Sequence, residues 1–250
     1  MPELRLIRES FPDDPALDLA VSQALLERVA AGDLPETLRL ARPGAMVAFA
    51  KRDAVTRGYG PAVQAARGAG FEPVLRMAGG RAAAFHQGTL VTAHAAADPD
   101  PQPGIHARFR AAAALVARAL RRLGVDARVG EVPGEYCPGR YSVNAGGERK
   151  LAGFGQRLVK GGSHTGAVIV CTGAERVRDV LLPVYEALGL SWDPATAGAV
   201  ADEDAGAGLA EVTRALEAGY AEHYDLVEAE LDQETLELAR LRAPDHRPPG

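Results

Sequence analysis

The sequence is short of several things that would point to common functions. It has 250 residues but only two cysteines, Cys137 and Cys171. That is too few for a disulfide framework. With six histidines, and with neither Cys-x-x-Cys nor His-x-x-x-His spacing, it also lacks a zinc pattern. Apolar runs stay well below the roughly 18 residues that cross a bilayer. Met1-Pro2-Glu3-Leu4-Arg5 carries an acid early and no apolar block follows, so no export signal is expected and the chain reads as cytoplasmic and free of the membrane. Acidic residues outnumber basic ones, 33 to 28, the wrong balance for a generic nucleic-acid binder. The Rossmann and P-loop glycine spacings are missing, as is any repeat of roughly 20–50 residues. Lysine is scarce too: Lys51, Lys150 and Lys160 are the only three among the 28 basic residues. Where arginine serves for almost every positive charge, a lysine suggests a place that needs a compact, titratable ammonium.

What is present fits one folded chain of 47% hydrophobic and 24% charged residues. Short strands are expected at 4–8, 71–77, 81–85, 88–96, 125–132 and 163–172. Two more, at 37–40 and 46–50, are expected to be joined by the turn Arg42-Pro43-Gly44. A hairpin pairs 141–144 with 149–159 around Gly146-Gly147. Amphipathic helices are expected at 14–31, 60–70 and 105–123. Helices then dominate at 175–189, 207–223 and 232–242, around an acidic loop at 198–206. Residues 1–173 read as a core. Residues 174–250 read as a helical segment packed on it, ending in a flexible tail at 244–250. Without regular βαβ spacing, the fold class is α+β with a mixed, largely antiparallel sheet packed by helices.

Few residues suggest chemistry. Cys137 lies in Glu135-Tyr136-Cys137-Pro138-Gly139, a loop bounded by turn formers that suits a presented nucleophile, although a free cysteine is often a small buried hydrophobe. Cys171 closes the apolar strand Ala167–Cys171 and reads as core. Lys150 begins Lys150-Leu151-Ala152-Gly153-Phe154-Gly155, where small residues clear space beside it. Its ammonium could lower a nearby thiol pKa or hold an acyl carbonyl oxygen. Arg76-Met77-Ala78-Gly79-Gly80-Arg81 and the alanines 82–84 leave room for a ligand. His86 and His164 are candidate acid/base groups, while His94, His106, His223 and His246 have no neighbours that suggest a role. Arg118–Arg122 reads as a solvated helix face.

Taken in order, these segments resemble the lipoate/octanoate transferase family, which also contains the biotin protein ligases. The resemblance covers about residues 15–172. It rests on Leu17-Asp18-Leu19-Ala20, on Arg76-x-x-Gly79-Gly80-Arg81 with His86-x-Gly88, on Lys150-x-x-Gly153-x-x-Gln156-Arg157, and on Gly162-Ser163-His164-Thr165-Gly166. Tyr136-Cys137-Pro138-Gly139-Arg140-Tyr141 is most similar to the cysteine-dependent octanoyl amidotransferase branch. The resemblance implies a biotin/lipoate ligase-like domain whose catalytic residues are Cys137, as an acyl-thioester, and Lys150, orienting the acyl carbonyl. Arg76, Gly79, Gly80, His86, Gly153 and His164 would bind substrate. It implies no metal and no cofactor. The donor would be octanoylated glycine-cleavage H protein or an acyl carrier protein, with the Tyr-Cys-Pro-Gly segment favouring the former. The acceptor would be a lipoyl domain of a 2-oxoacid dehydrogenase E2 subunit. Because lipoyl domains are commonly acidic, Arg140, Arg149, Arg157 and Lys160 are candidates for a basic rim. The segment Ala82–Gln87 departs from that branch and its histidine is more ligase-like. Two alternatives therefore stand: an ATP- and Mg²⁺-dependent lipoate–protein ligase, and a non-catalytic acyl-binding homologue.

Overall fold

The computed structural model describes residues 1–204 and 206–248. Its strands are β1 (Glu3–Ile7), β2 (Thr37–Ala41), β3 (Met46–Phe49), β4 (Glu72–Leu75), β5 (Ala83–Phe85), β6 (Thr89–Ala97), β7 (Ala127–Val129), β8 (Val143–Ala145), β9 (Arg149–Val159), β10 (Gly162–Val170) and β11 (Asp225–Glu228). Its α-helices are α1 (Pro15–Ala31), α2 (Lys51–Ala54), α3 (Tyr59–Gly68), α4 (Ile105–Arg122), α5 (Ala174–Ala187), α6 (Val200–Glu203), α7 (Leu209–Ala221) and α8 (Gln233–Arg242).

Eight strands form the main sheet in the order β11-β1-β2-β6-β10-β9-β8-β7. β11, β1 and β2 run parallel to one another, and the remaining neighbours are antiparallel. A second sheet, β4-β3-β5, has β3 at its centre. The mixed, mostly antiparallel α+β class expected from the sequence is what the chain adopts.

Local chemistry explains the first helix. Asp14 caps α1 by accepting from the Leu17 N–H at 3.1 Å, Pro15 supplies a preset φ, and Gly32 ends the helix with φ 84°. Its buried stripe, Ala20, Val21, Ala24 and Leu25, packs with Ala239 of α8. The main core fills one face of the large sheet, where Leu115, Val116, Ala119 and Leu120 of α4 meet Val212, Leu216 and Tyr220 of α7.

β2 and β3 follow one another through Arg42-Pro43-Gly44 and enter different sheets. The connection passes so close to Pro12 that a Cβ on Gly44 would lie 1.9 Å from the Pro12 carbonyl oxygen. Two expectations need correction. Part of the acidic stretch 198–206 is helical as α6, with residue 205 outside the described residues. The segment read as a flexible tail continues α8 as a 3₁₀ turn, Ala243–His246, whose His246 is buried; residues 249 and 250 lie outside the described residues.

The chain after residue 173 belongs to the same layers as the rest. α5 packs Val177, Val180, Leu181 and Val184 under the small sheet, and β11 extends the main sheet beside β1. The sequence gives little sign of β11, a four-residue, mostly exposed edge strand. Among the described residues no helix is long and apolar enough to cross a membrane.

Candidate active site

Residues 130–142, between β7 and β8, form an irregular loop that carries Cys137. Glu135 organises it from inside. Its buried carboxylate accepts from the Val132 N–H at 3.1 Å, the Gly139 N–H at 2.9 Å and the Ser142 hydroxyl at 2.6 Å. Lys150, at the start of β9 and only 2% exposed, completes the arrangement. Its Nζ donates to Glu135 Oε1 at 3.0 Å, to the Tyr136 carbonyl at 3.0 Å and to the Cys137 carbonyl at 2.8 Å. An ammonium has three protons, and here each has an acceptor.

Cys137 has φ 42°, the only positive φ outside glycine among the described residues. The left-handed region costs an L-residue roughly 1–2 kcal/mol, so the surroundings must hold it there. Lys150 holds its carbonyl. The Tyr185 hydroxyl of α5 accepts from its N–H at 2.8 Å and donates to the Ala82 carbonyl at 2.9 Å. Both peptide groups flanking the nucleophile are thereby fixed.

The sulfur faces two donors: the Arg81 N–H at 3.2 Å and Arg76 Nη2 at 3.3 Å. Burial pushes the thiol pKa up. The charges of Arg76 and then Lys150, with the Arg81 N–H, pull it down, and the net position lies below the ordinary thiol value. Cys171 shows the opposite outcome, pushed up to about 12 by burial in the core. Arg76 is steadied by donating to the Arg81 carbonyl at 2.6 Å. Gly80 makes this approach possible: its φ is 111°, and a Cβ there would stand 2.3 Å from Arg76 Nη2 and 2.9 Å from the sulfur. Arg52 bonds the Gly80 carbonyl, and Arg81 pairs with buried Asp53 at 3.0 Å.

A cavity of about 460 Å³ opens beside the sulfur. β5 contributes Ala83, Ala84 and Phe85, α4 contributes Ile105 and Phe109, and β9 contributes Gly153, Phe154 and Gly155. A smaller cavity of about 80 Å³ shares Arg76, Phe85, Gly153, Phe154, Gly155 and Val168 with it and reaches His164 on β10. Together they form a mostly apolar slot with a thiol, a guanidinium and an ammonium on its wall. Such a site suits an acyl chain carrying a reactive carbonyl. Gly153 leaves the lysine its space, since a Cβ there would come within 3.3 Å of Lys150 Cε.

Of the residues singled out in the sequence, Cys137, Lys150, Arg76, Gly79, Gly80 and Gly153 meet around the larger cavity. His164 lines only the inner one. The expected site role of His86 is corrected. It lies under the loop before β6, where its Nδ1 accepts from the Gly88 N–H at 3.0 Å, and it lines neither cavity. Burial holds both histidines down to about 4, with Arg176 adding to the effect at His86 and His94 at His164. At neutral pH both are uncharged. Of the candidate rim residues, Arg140 lines the larger cavity, Arg140, Arg157 and Lys160 are exposed, and Arg149 pairs with Glu203 at 2.8 Å.

Sequence reasoning missed Glu135, Arg81 and Tyr185. The first two lay inside quoted motifs: the Glu135 carboxylate works on loop groups that only the fold gathers around it, and Arg81 meets the sulfur through its backbone N–H, which side-chain chemistry does not advertise. Tyr185 comes from a helix with no local signal.

The family model described as the lipoyl protein ligase A/B catalytic domain matches residues 14–187. Among curated proteins, the octanoyl-[GcvH]:protein N-octanoyltransferase of Geobacillus kaustophilus is 28% identical over 176 residues, covering 70% of this chain and 62% of that protein. The protein of the same name from Exiguobacterium sibiricum is 33% identical over 124 residues, 48% of this chain and 44% of its own length. The chain thus spans less than two thirds of either relative. Among solved structures, the bipartite lipoate protein ligase of Thermoplasma acidophilum superposes with a TM-score of 0.77 at 22% identity, covering 98% of this chain and 93% of that one. A lipoate-protein ligase A bound with ATP gives the same TM-score at 23% identity, over 97% and 94%. The fold is that of the biotin/lipoate ligases.

Proposed function

This chain belongs to the lipoyl protein ligase A/B catalytic-domain family, and from that premise we propose that it is an octanoyltransferase working through a thioester on Cys137. The donor in this reading is octanoylated glycine-cleavage H protein, as in the names of its curated relatives. The acceptor is a lysine of a lipoyl domain of a 2-oxoacid dehydrogenase E2 subunit. The observation that carries the reading is the sulfur itself, set by a positive φ on the wall of an apolar slot and met by Arg76 and the Arg81 N–H.

The chemistry follows from that setting. The octanoyl tail lies in the slot, where each buried methylene contributes about 0.8 kcal/mol. The Cys137 thiolate attacks the carbonyl carbon of the donor's octanoyl-lysine amide. The S–C bond forms, the C–N bond breaks, and the donor lysine leaves as an amine. The acceptor lysine's neutral amine then attacks the thioester, forms the new amide and returns the thiolate. Protons given up by the acceptor ammonium match those taken up by the departing amine. One lysine amide is exchanged for another, so the transfer needs no nucleotide, metal or other cofactor to drive it.

Lys150 serves here by holding the Cys137 carbonyl, with its charge favouring the thiolate. Arg140, Arg157 and Lys160 give the surface cations that an acidic lipoyl domain would meet.

The test is transfer without ATP. Octanoyl-H protein and a lipoyl domain are mixed with enzyme, and intact mass spectrometry follows both the acceptor and Cys137. The expected result is acceptor octanoylation, a hydroxylamine-sensitive octanoyl adduct on Cys137, and loss of both in Cys137→Ala. Transfer by Cys137→Ala at the parent rate overturns the thioester. Modification that requires ATP and a free acid shows a ligase instead. Transfer only from octanoyl acyl carrier protein overturns the donor.

A further inference from the structure

The peptide unit joining Leu75 to Arg76 is held at both of its polar atoms. Its N–H donates to the Phe49 carbonyl of β3 at 2.9 Å. Its carbonyl, on Leu75, faces His246 Nδ1 at 2.7 Å. A carbonyl oxygen can only accept, so that ring nitrogen carries the proton. His246 Nε2 lies 3.0 Å from Gln23 Oε1, and the Gln23 amide nitrogen donates to Glu27 at 2.8 Å. Glu27 in turn takes the Arg242 guanidinium at 2.9–3.0 Å. The Nδ1 proton thus fastens the C-terminal turn to the end of β4 across 171 residues of sequence, and the Arg242–Glu27 pair fastens the end of α8 to α1.

Arg76 is the first residue beyond that anchor, and its guanidinium is a hydrogen-bonding cation on the Cys137 sulfur. Its Nε is buried without a hydrogen-bond partner. The direction in which Arg76 leaves β4 therefore depends on its backbone and on the two Nη2 contacts. His246 and Arg76 also face each other's surroundings, since both line the inner slot and a neighbouring cavity of about 310 Å³.

We propose that His246 is a positioning residue for the nucleophile: by holding the Leu75 carbonyl it keeps the Arg76 guanidinium on the Cys137 thiolate. The proposal rests on the octanoyltransferase reading only for its consequence in catalysis; the coupling itself is a property of the thiol. The charged and titratable groups around the sulfur are Arg76, Lys150, Glu135, Tyr136 and Tyr185. Around His246 they are Asp245, Lys51, Glu27, Arg76 and Arg157, with His164 across the inner slot. Arg76 is the one group common to both sets, so a change at the sulfur on removing the histidine runs through Arg76, whose departure from β4 His246 fixes at the Leu75 carbonyl.

The experiment is the pH dependence of iodoacetamide alkylation of the full-length protein, mapped by peptide mass to Cys137. Cys171, buried and with a raised pKa, does not compete. His246→Phe fills the space but cannot donate. His246→Asn retains an N–H near the position of Nδ1. Arg76→Met is the reference for a fully lost contact. The expected result for His246→Phe is a midpoint shifted to higher pH, with the rate at pH 7 lowered about threefold or more and the high-pH plateau unchanged. His246→Asn falls between it and the parent, and Arg76→Met lies beyond both. A folded His246→Phe with the parent's midpoint overturns the proposal, because a merely structural role lowers the melting temperature without moving the thiol. Should His246→Phe not fold, His246→Ala decides by the same readout. No acyl donor enters the assay, so this proposal fails on thiol titration, whereas the octanoyltransferase reading fails on acyl transfer.

Discussion

Lys150 Nζ stands 2.8 Å from the carbonyl oxygen of Cys137, and its other two protons go to Tyr136 O and Glu135. The lysine therefore grips the backbone of the nucleophilic residue and acts on the sulfur through charge. The sequence suggested an ammonium that orients a substrate carbonyl. The structure gives it a protein carbonyl instead, and this explains why a lysine rather than an arginine stands there: three converging acceptors fit a tetrahedral ammonium better than a planar fork.

Removing that ammonium should be costly. Lys150→Met leaves the Glu135 carboxylate buried without its cation, and loss of one partner of such a pair costs about 3–5 kcal/mol. The double variant Lys150→Met, Glu135→Gln removes the stranded charge and should be more stable than Lys150→Met alone. Urea unfolding of the parent and the variants measures the difference. A Lys150→Met protein within about 1 kcal/mol of the parent would show that the pair does not hold the loop.

Much of this arrangement was legible beforehand because it sits in short motifs. Gly79-Gly80, the Cys137 loop and the Lys150 strand each announced close approach or unusual chemistry in a few consecutive residues. The helices 14–31 and 105–123 were legible from periodicity and caps. What stayed hidden depends on long-range pairing. β3 enters a separate sheet from β2, β11 is too short and exposed to show a pattern, and Tyr185 reaches Cys137 across 48 residues. His86 misled for a physical reason: polar neighbours in sequence suggested an open strand end, while the fold buries the ring beneath Gly88 and Gly173.

The lowered thiol pKa has a consequence for stability. The unfolded thiol titrates near 8.5, and the folded one lies lower. The unfolded state then holds more protons between the two values, so stability rises with pH across that window and is lost as pH falls through the folded value. Arg76→Met and Cys137→Ala should both flatten this rise. Denaturant midpoints measured from pH 6 to 9 check it. A parent protein whose midpoint falls steadily from pH 7 to 8.5, with both variants following it in parallel, would contradict a depressed thiol.

The two glycines after β4 should not behave alike. Gly80→Ala places a methyl against Arg76 Nη2 and the sulfur at a φ of 111°, costing about 1–2 kcal/mol of backbone strain and moving the guanidinium. Cys137 alkylation at neutral pH should slow about tenfold. Gly79→Ala meets no atom within 4 Å and should leave both stability and alkylation near the parent. Equal effects from the two substitutions would mean that the Arg76–Cys137 contact does not depend on Gly80.

His86 and His164 make the acid side of the stability curve steep. Both are held near 4 in the folded protein, against about 6.5 when unfolded. Between those values the unfolded chain binds the extra protons, so their contribution is fully present above pH 6.5 and disappears as pH falls toward 4. Each is worth on the order of 3 kcal/mol over the whole window. His86→Asn keeps an acceptor for the Gly88 N–H, and His164→Phe keeps a ring in the inner slot. Each should flatten part of the decline measured by urea unfolding between pH 4 and 7. Because neither ring titrates near neutrality, the pH–rate profile for acyl transfer should show the thiol's rise but no histidine limb between pH 6 and 7. A limb there that vanishes in His164→Phe would make that ring a proton carrier in the reaction rather than a neutral wall of the slot.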